Sequence, residues 1–283
     1  MSPSRRAGLR PAGPRKLWCL ALTCTLALGL SGASAEDGPF PVWWSPVLQL
    51  DSLDGIDARL ERELWRGATQ GMPLYKYEGE TRLEVWANSC NEFMALTEAG
   101  YHGRGNPGYK TQQINEAFCQ AIKMLKRASP ARESYLRDFA LDEAAIDYLP
   151  VMVHITPSCD FLCEHLQANR QRIPLSRAIP DLEVAAIGPD EVEVRTTTLA
   201  SRLSALARGD MNSDGLEDLL ILSRTDARGG TGGWSFVFLL TRGGPGAVLH
   251  VLEAQNEYCP NEHCNGTKDD PTVIPDLDSS APE

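Results

Sequence analysis

Hydrophobic positions recur with helical spacing through the first half of the chain. Residues 51–66 set Leu53, Ile56, Leu60 and Leu64 on one face; residues 82–97 carry Val85, Trp86, Phe93 and Leu96; residues 111–128 carry Ile114, Phe118, Ile122 and Leu125. Each of these patterns predicts an amphipathic helix. Ser129 followed by Pro130 reads as the N-cap and first position of a short fourth helix reaching about Phe139.

The pattern changes after about Pro150. VMVHI, from Val151, reads as a buried strand with His154 as a core histidine, and SCDFLCEHLQANRQR reads as a short helix. From Ile179 onward short β-patterns take over. LEVAAI and EVEVRTTT are separated by GPD, and WSFVFLLTR and AVLHVLE by GGPG, as in two hairpins. The chain is therefore predicted to be α+β, with a helical N-terminal half (36–150), a connecting segment (151–178) and an antiparallel β module (179–264). The last residues, 265–283, are acidic and proline-rich with no period, which predicts a disordered tail.

Residues 1–35 stand apart. Arg5, Arg6, Arg10, Arg15 and Lys16 precede the apolar run WCLALTCTLALGL, and SGASA ends in a small-x-small cleavage pattern, so a signal peptide and a periplasmic or secreted protein are expected. The apolar run is too short for a stable membrane anchor. SRRAGLR also looks like a twin-arginine signal, which leaves the export route open. Five of the 27 basic residues and none of the 38 acidic ones lie in this segment, so its removal takes the net charge from −11 to −16. Such a surface repels phosphate backbones and suits a basic protein partner; nucleic acid is not expected as a ligand.

Export gives the cysteines a meaning. Six remain beyond the signal, Cys90, Cys119, Cys159, Cys163, Cys259 and Cys264, an even number that reads as three disulfides of undetermined connectivity. Proximity suggests Cys90 with Cys119, Cys159 with Cys163, and Cys259 with Cys264. The first bridge would staple two predicted helices.

The most specific chemistry lies in GDMNSDGLEDLLIL, residues 209–222. Counted from Asp210, oxygen donors fall at positions one (Asp210), three (Asn212), five (Asp214) and nine (Asp218), with Gly215 at the sharp turn and Leu216 offering its carbonyl at seven. Alternate-residue oxygen donors curl around a hard cation, and calcium accepts more protein ligands than magnesium does. Position twelve holds Ile221 where a helix–loop–helix site needs a bidentate glutamate, so this is not an EF-hand. The loop resembles the calcium loop of FG-GAP or VCBS-type β-repeats, on Asp210, Asn212, Asp214, Gly215, Asp218 and Leu219. That resemblance covers about residues 205–253, and it implies a structural calcium between two strands. One copy is present, whereas a propeller needs several.

Little else is diagnostic. His102 and Arg104 lie among the glycines of GYHGRGNPGYK, which suits an anion pocket and equally an ordinary loop. The five histidines fall in no nucleophile or HExxH signature. The expectation is a noncatalytic exported binding protein, of inhibitor or immunity type, docking on another exported protein. The alternative is a periplasmic hydrolase with its site near His102 and Arg104.

Overall fold

Residues 39–62, 71–154, 165, 167–188 and 190–254 are described by a computed structural model. The expected signal segment, Leu64, Cys159, Cys163, Cys259, Cys264 and the acidic tail lie outside them. The described residues all belong to one unit, Asp37–Glu283.

A mixed sheet-and-helix architecture is observed. Strands β4 (Glu183–Gly188), β5 (Glu191–Arg195), β6 (Leu199–Gly209), β7 (Asp218–Ala227), β8 (Gly233–Thr241) and β9 (His250–Ala254) follow one another as an antiparallel meander. A short strand β1 (Trp43–Trp44) pairs with the end of β6, Trp43 opposite Arg208. Both faces of the sheet are covered, which is why the central strands read as continuous apolar runs, LLIL and FVFLL, and not as an alternation. Leu219, Ile221 and Phe238 pack on one face against Leu136, Leu149, Val151 and Leu175. Leu220, Leu222 and Leu239 pack on the other against Phe93, Ile122 and Leu125.

The helical layer is smaller than the periodicity suggests. Among the described residues it is formed by α1 (Ile56–Glu61), α2 (Cys90–Glu98) and α3 (Gly105–Leu125), with a further short helix at Leu175–Ala178. Helix α2 starts where Ser89 Oγ accepts the Glu92 N–H at 3.2 Å and the Glu92 carboxylate accepts the Asn88 N–H at 2.7 Å. Helix α3 begins earlier than expected, with Pro107 in its first turn, where a missing N–H costs nothing. Cys90 and Cys119 form a disulfide, Cα to Cα 5.4 Å, so the predicted staple joins α2 to α3. Its removal by Cys90→Ser with Cys119→Ser is expected to lower stability by about 3.5 kcal/mol, the chain-entropy value for closing this loop. Urea denaturation of the two forms measures it. Among the described residues, no helix is long and apolar enough to cross a membrane.

Three expectations are overturned, and the clean division into a helical half and a β half goes with them. Residues 82–87 are not helical but belong to β3 (Thr81–Ala87), paired with β2 (Met72–Glu78) in a hairpin turned at Gly79. Leu74 and Ala87 face the core, while Trp86 points outward at 42% exposure. Adjacent Val85 and Trp86 mimic a helical stripe; the alternation around Gly79 is the signal that decides. Residues 129–139 form no helix, because the backbone of Ser129 pairs with Asp210 and that of Ala131 with Phe40. Val151–Val153 is a 3₁₀ turn, not a strand. Of the helix expected over 158–172, residues 167–170 are helical and most of the remainder lies outside the described residues.

Candidate functional site

The calcium-like loop joins β6 to β7, and it is held closed by its own side chains. Asp210 Oδ1 accepts the Ser213 N–H at 2.7 Å and Oδ2 the Gly215 N–H at 2.9 Å. Asn212 Nδ2 donates to Asp214 Oδ2 at 2.8 Å, and Asp214 Oδ1 accepts the Leu216 N–H at 2.7 Å. Gly215 sits at φ 90°, in the left-handed region that position six of such a loop requires. The extended segment after α3 braces the loop from outside. Ser129 exchanges both backbone bonds with Asp210, and the Arg132 and Glu133 N–H groups both donate to the Gly215 carbonyl.

Asp218 is the member this network does not satisfy. It is fully buried; Oδ2 accepts the Met211 N–H at 2.9 Å, while Oδ1 has no partner. Burial, with added repulsion from Asp214 and Asp210, pushes its carboxyl up to about 7, against the opposing pull of the Met211 N–H and the Thr241 hydroxyl. An orphaned carboxylate oxygen behind three further oxygen donors fits a hard cation. In this conformation, among the described residues, no three His, Cys, Asp or Glu side chains converge as a metal site.

His102 and Arg104 are exposed on the loop between α2 and α3. The His102 backbone pairs with Tyr75, and Arg104 is the N-cap residue of α3 without a side-chain capping bond. Neither lines either of the two large cavities, so the geometry does not gather them into a site.

One of those cavities, a groove of about 620 Å³, is walled by residues 132–148 and Arg242. Its Arg242 serves packing, donating to the Ala247 and Tyr135 carbonyls and lying over the Tyr148 ring.

The other cavity, about 550 Å³, holds a more suggestive arrangement. Its apolar wall is formed by Val151, Ile173, Ile179 and Leu199, and its polar groups are His154, His165, Arg177, Thr196 and Thr198. His154 ends the 3₁₀ turn Val151–Val153, which is docked on the sheet by two strand hydroxyls. Ser223 Oγ donates to the Val153 carbonyl at 2.6 Å, and Ser201 Oγ lies 2.7 Å from His154 Nδ1 and 2.6 Å from Thr225 Oγ1. Ser201 and Thr225 are a cross-strand pair of β6 and β7, so the sheet register sets the spacing of this relay.

The relay fixes the ring through one nitrogen and leaves the other buried without a partner. His154 is 1% exposed, and its Nε2 has no hydrogen-bond partner. Burial, and then His165 nearby, lower its pKa to about 4; burial alone does the same to His165. Both rings are therefore neutral at physiological pH. When Nδ1–H donates to Ser201, Nε2 carries a bare lone pair; the reverse direction puts the proton on Nε2. Ser201→Ala is expected to cost about 1–3 kcal/mol, since it strands both Nδ1 and the Thr225 hydroxyl in the core. Urea unfolding measures that cost.

Comparison of the chain with protein-family models, with curated proteins and with solved structures finds no match. Any functional reading therefore stands on this geometry.

Proposed function

We propose that this protein is an exported hydrolase of a small molecule, working in the His154 cavity, with the Asp210–Asp218 loop holding a structural calcium. The observation that carries the reading is the partnerless Nε2 of a buried histidine whose Nδ1 is held by Ser201. In this scheme Nε2 takes a proton from water as its oxygen attacks the substrate, then returns it to the leaving group. Arg177, Thr196 and Thr198 on the same wall supply cationic and hydroxyl groups for the developing negative charge. Ser201 is buried beneath the ring and acts as a positioning residue.

This moves the hydrolase site away from His102 and Arg104. The calcium contributes no reacting group; it braces the β6–β7 hairpin on which Ser201 and Thr225 lie, through Asp210, Asn212, Asp214, Asp218 and the Leu216 carbonyl. Export, and with it an oxidising compartment, is supported by the N-terminal pattern and by the Cys90–Cys119 disulfide.

A second reading, a noncatalytic inhibitor or immunity-type protein docked on an exported partner, is favoured by the β2–β3 hairpin, whose outer face exposes Tyr77 and Trp86. One experiment separates the two. A panel of ester, amide and phosphoester substrates is assayed alongside a pull-down from periplasmic extract. Turnover that disappears in His154→Gln supports the hydrolase. A stoichiometric partner, no turnover, and loss of that partner in Trp86→Ala support the second reading.

A further inference from the structure

We propose that Thr241, on the strand next to the loop, is a calcium ligand that the loop's own sequence does not supply. The inference rests on the reading of the Asp210–Asp218 loop as a calcium site.

The loop by itself is short of donors. Asp210, Asn212, Asp214, Asp218 and the Leu216 carbonyl make a set of about five, and calcium takes 6–8 oxygens. Position twelve cannot help, because Ile221 is fully buried in the sheet core. A further oxygen has to come from water or from elsewhere in the fold.

The sheet places one beside Asp218. Strand β7 pairs with β8 through Leu219 opposite Leu240, so one step further along the register Asp218 stands opposite Thr241. Thr241 in turn pairs with His250 on β9. Residues directly opposite on antiparallel strands share a face, with Cβ atoms about 4.5–5.5 Å apart. Asp218, Thr241 and His250 thus form a row across three strands, at the end of the sheet where the loop sits.

Each member of that row has a polar atom without a partner: Asp218 Oδ1, Thr241 Oγ1 and His250 Nδ1. Asp218 is fully buried and Thr241 is 3% exposed, so solvent does not satisfy them. The Thr241 hydroxyl is close enough to the Asp218 carboxyl to favour its charged form, yet the pair misses hydrogen-bond geometry, and both Oδ1 and Oγ1 stay unpartnered. Adjacent orphans of this kind are rare, because each forfeits its hydration without recompense. One cation resolves all three. Asp218 Oδ1 and Thr241 Oγ1 give lone pairs to the ion, and the freed Thr241 hydroxyl hydrogen donates to His250 Nδ1. The rival account is a buried water bridging the row, which needs no ion.

The test is calorimetric titration of calcium into the full, oxidised chain and three variants, Thr241→Val, Thr241→Ser and Asp214→Ala. Valine keeps the shape and removes the oxygen; serine keeps the oxygen. The expected result is calcium binding by the wild type, about tenfold weaker binding in Thr241→Val, wild-type affinity in Thr241→Ser, and none in Asp214→Ala. Unchanged affinity in Thr241→Val overturns the proposal and leaves the loop site standing; that is also the outcome for a bridging water. Equal weakening by serine and valine overturns it too. A wild type that takes up no calcium sinks the loop reading and this one together. Should the valine variant fail to fold, terbium luminescence lifetimes in light and heavy water are compared for the wild type and Thr241→Ala. An additional metal-bound water in the alanine variant is expected, and an unchanged count contradicts the proposal.

Discussion

On the proposed hydrolase reading, His154→Gln is expected to lower turnover by about 10²- to 10⁴-fold, the range for loss of a positioned general base. Glutamine retains a polar tip for Ser201 but carries no basic nitrogen. The pH dependence carries a second signature. With the ring held at about 4 in the folded protein, kcat/KM stays level through neutral pH and falls only as pH drops through about 4. Stability moves in the same window. Its folded pKa lies below the ordinary value of 6.5, so the unfolded chain takes up the proton first as pH falls. Stability is therefore lost progressively from about 6.5 down through about 4, by about 3 kcal/mol in total from this residue. Glutamine removes that share of the acid loss. Steady-state kinetics and urea unfolding from about pH 4 to neutral test both limbs. A variant with wild-type turnover, or an activity that titrates near 6.5, rejects the role given to His154.

Asp218→Asn acts in the opposite sense. Without calcium, the buried carboxyl has its folded pKa raised to about 7 from an unfolded value of 3.8. The favourable, protonated state is complete below about 3.8, and its contribution is lost as pH rises through about 7. At higher pH the ionised group costs up to about 4 kcal/mol. Asparagine keeps an oxygen for the Met211 N–H and carries no charge. The calcium-free variant is therefore expected to exceed the wild type by about 2–4 kcal/mol at mildly alkaline pH, a margin that shrinks steadily as pH falls below about 7 and vanishes only near 3.8. Its melting temperature should no longer respond to calcium. Thermal melts with chelator and with calcium decide the matter. A variant less stable than wild type in chelator at alkaline pH, or one that still responds to calcium, refutes the assignment of Asp218.

What could be read from the sequence follows from where its local signals agree with tertiary packing. The β4–β5 and β8–β9 hairpins carry Gly or Pro punctuation between strand-like runs, and both form as expected. Cys90 and Cys119 are near enough in sequence for adjacency to suggest the bridge that is observed. Failures cluster where packing overrides a short pattern. Ser129 and Pro130 have the chemistry of a helix start, yet pairing with Asp210 holds the segment extended. VMVHI is apolar enough for a strand, but its apolar side chains pack on the sheet face and it docks there as a turn through Ser223 and Ser201.

The His154 arrangement was invisible for a related reason. Its parts are separated by 47 and 24 residues, and only the β6–β7 register brings them together. One clue was present. In LASRLSALARG, Ser201 alternates with Leu199 and Leu203, which places a hydroxyl on the core-facing side of a strand. Buried hydroxyls need partners, so an inward serine announces a polar contact without naming it.

The most direct test of the central claim is the protonation state of His154 itself. Nitrogen-15 resonances of its ring are recorded near neutral pH in histidine-labelled protein, assigned by their absence from His154→Gln, with and without a compound the protein turns over. A neutral ring with its proton on Nδ1 and a bare Nε2 that shifts when the compound enters is the predicted result. A proton resident on Nε2, or a ring indifferent to every compound, contradicts the account.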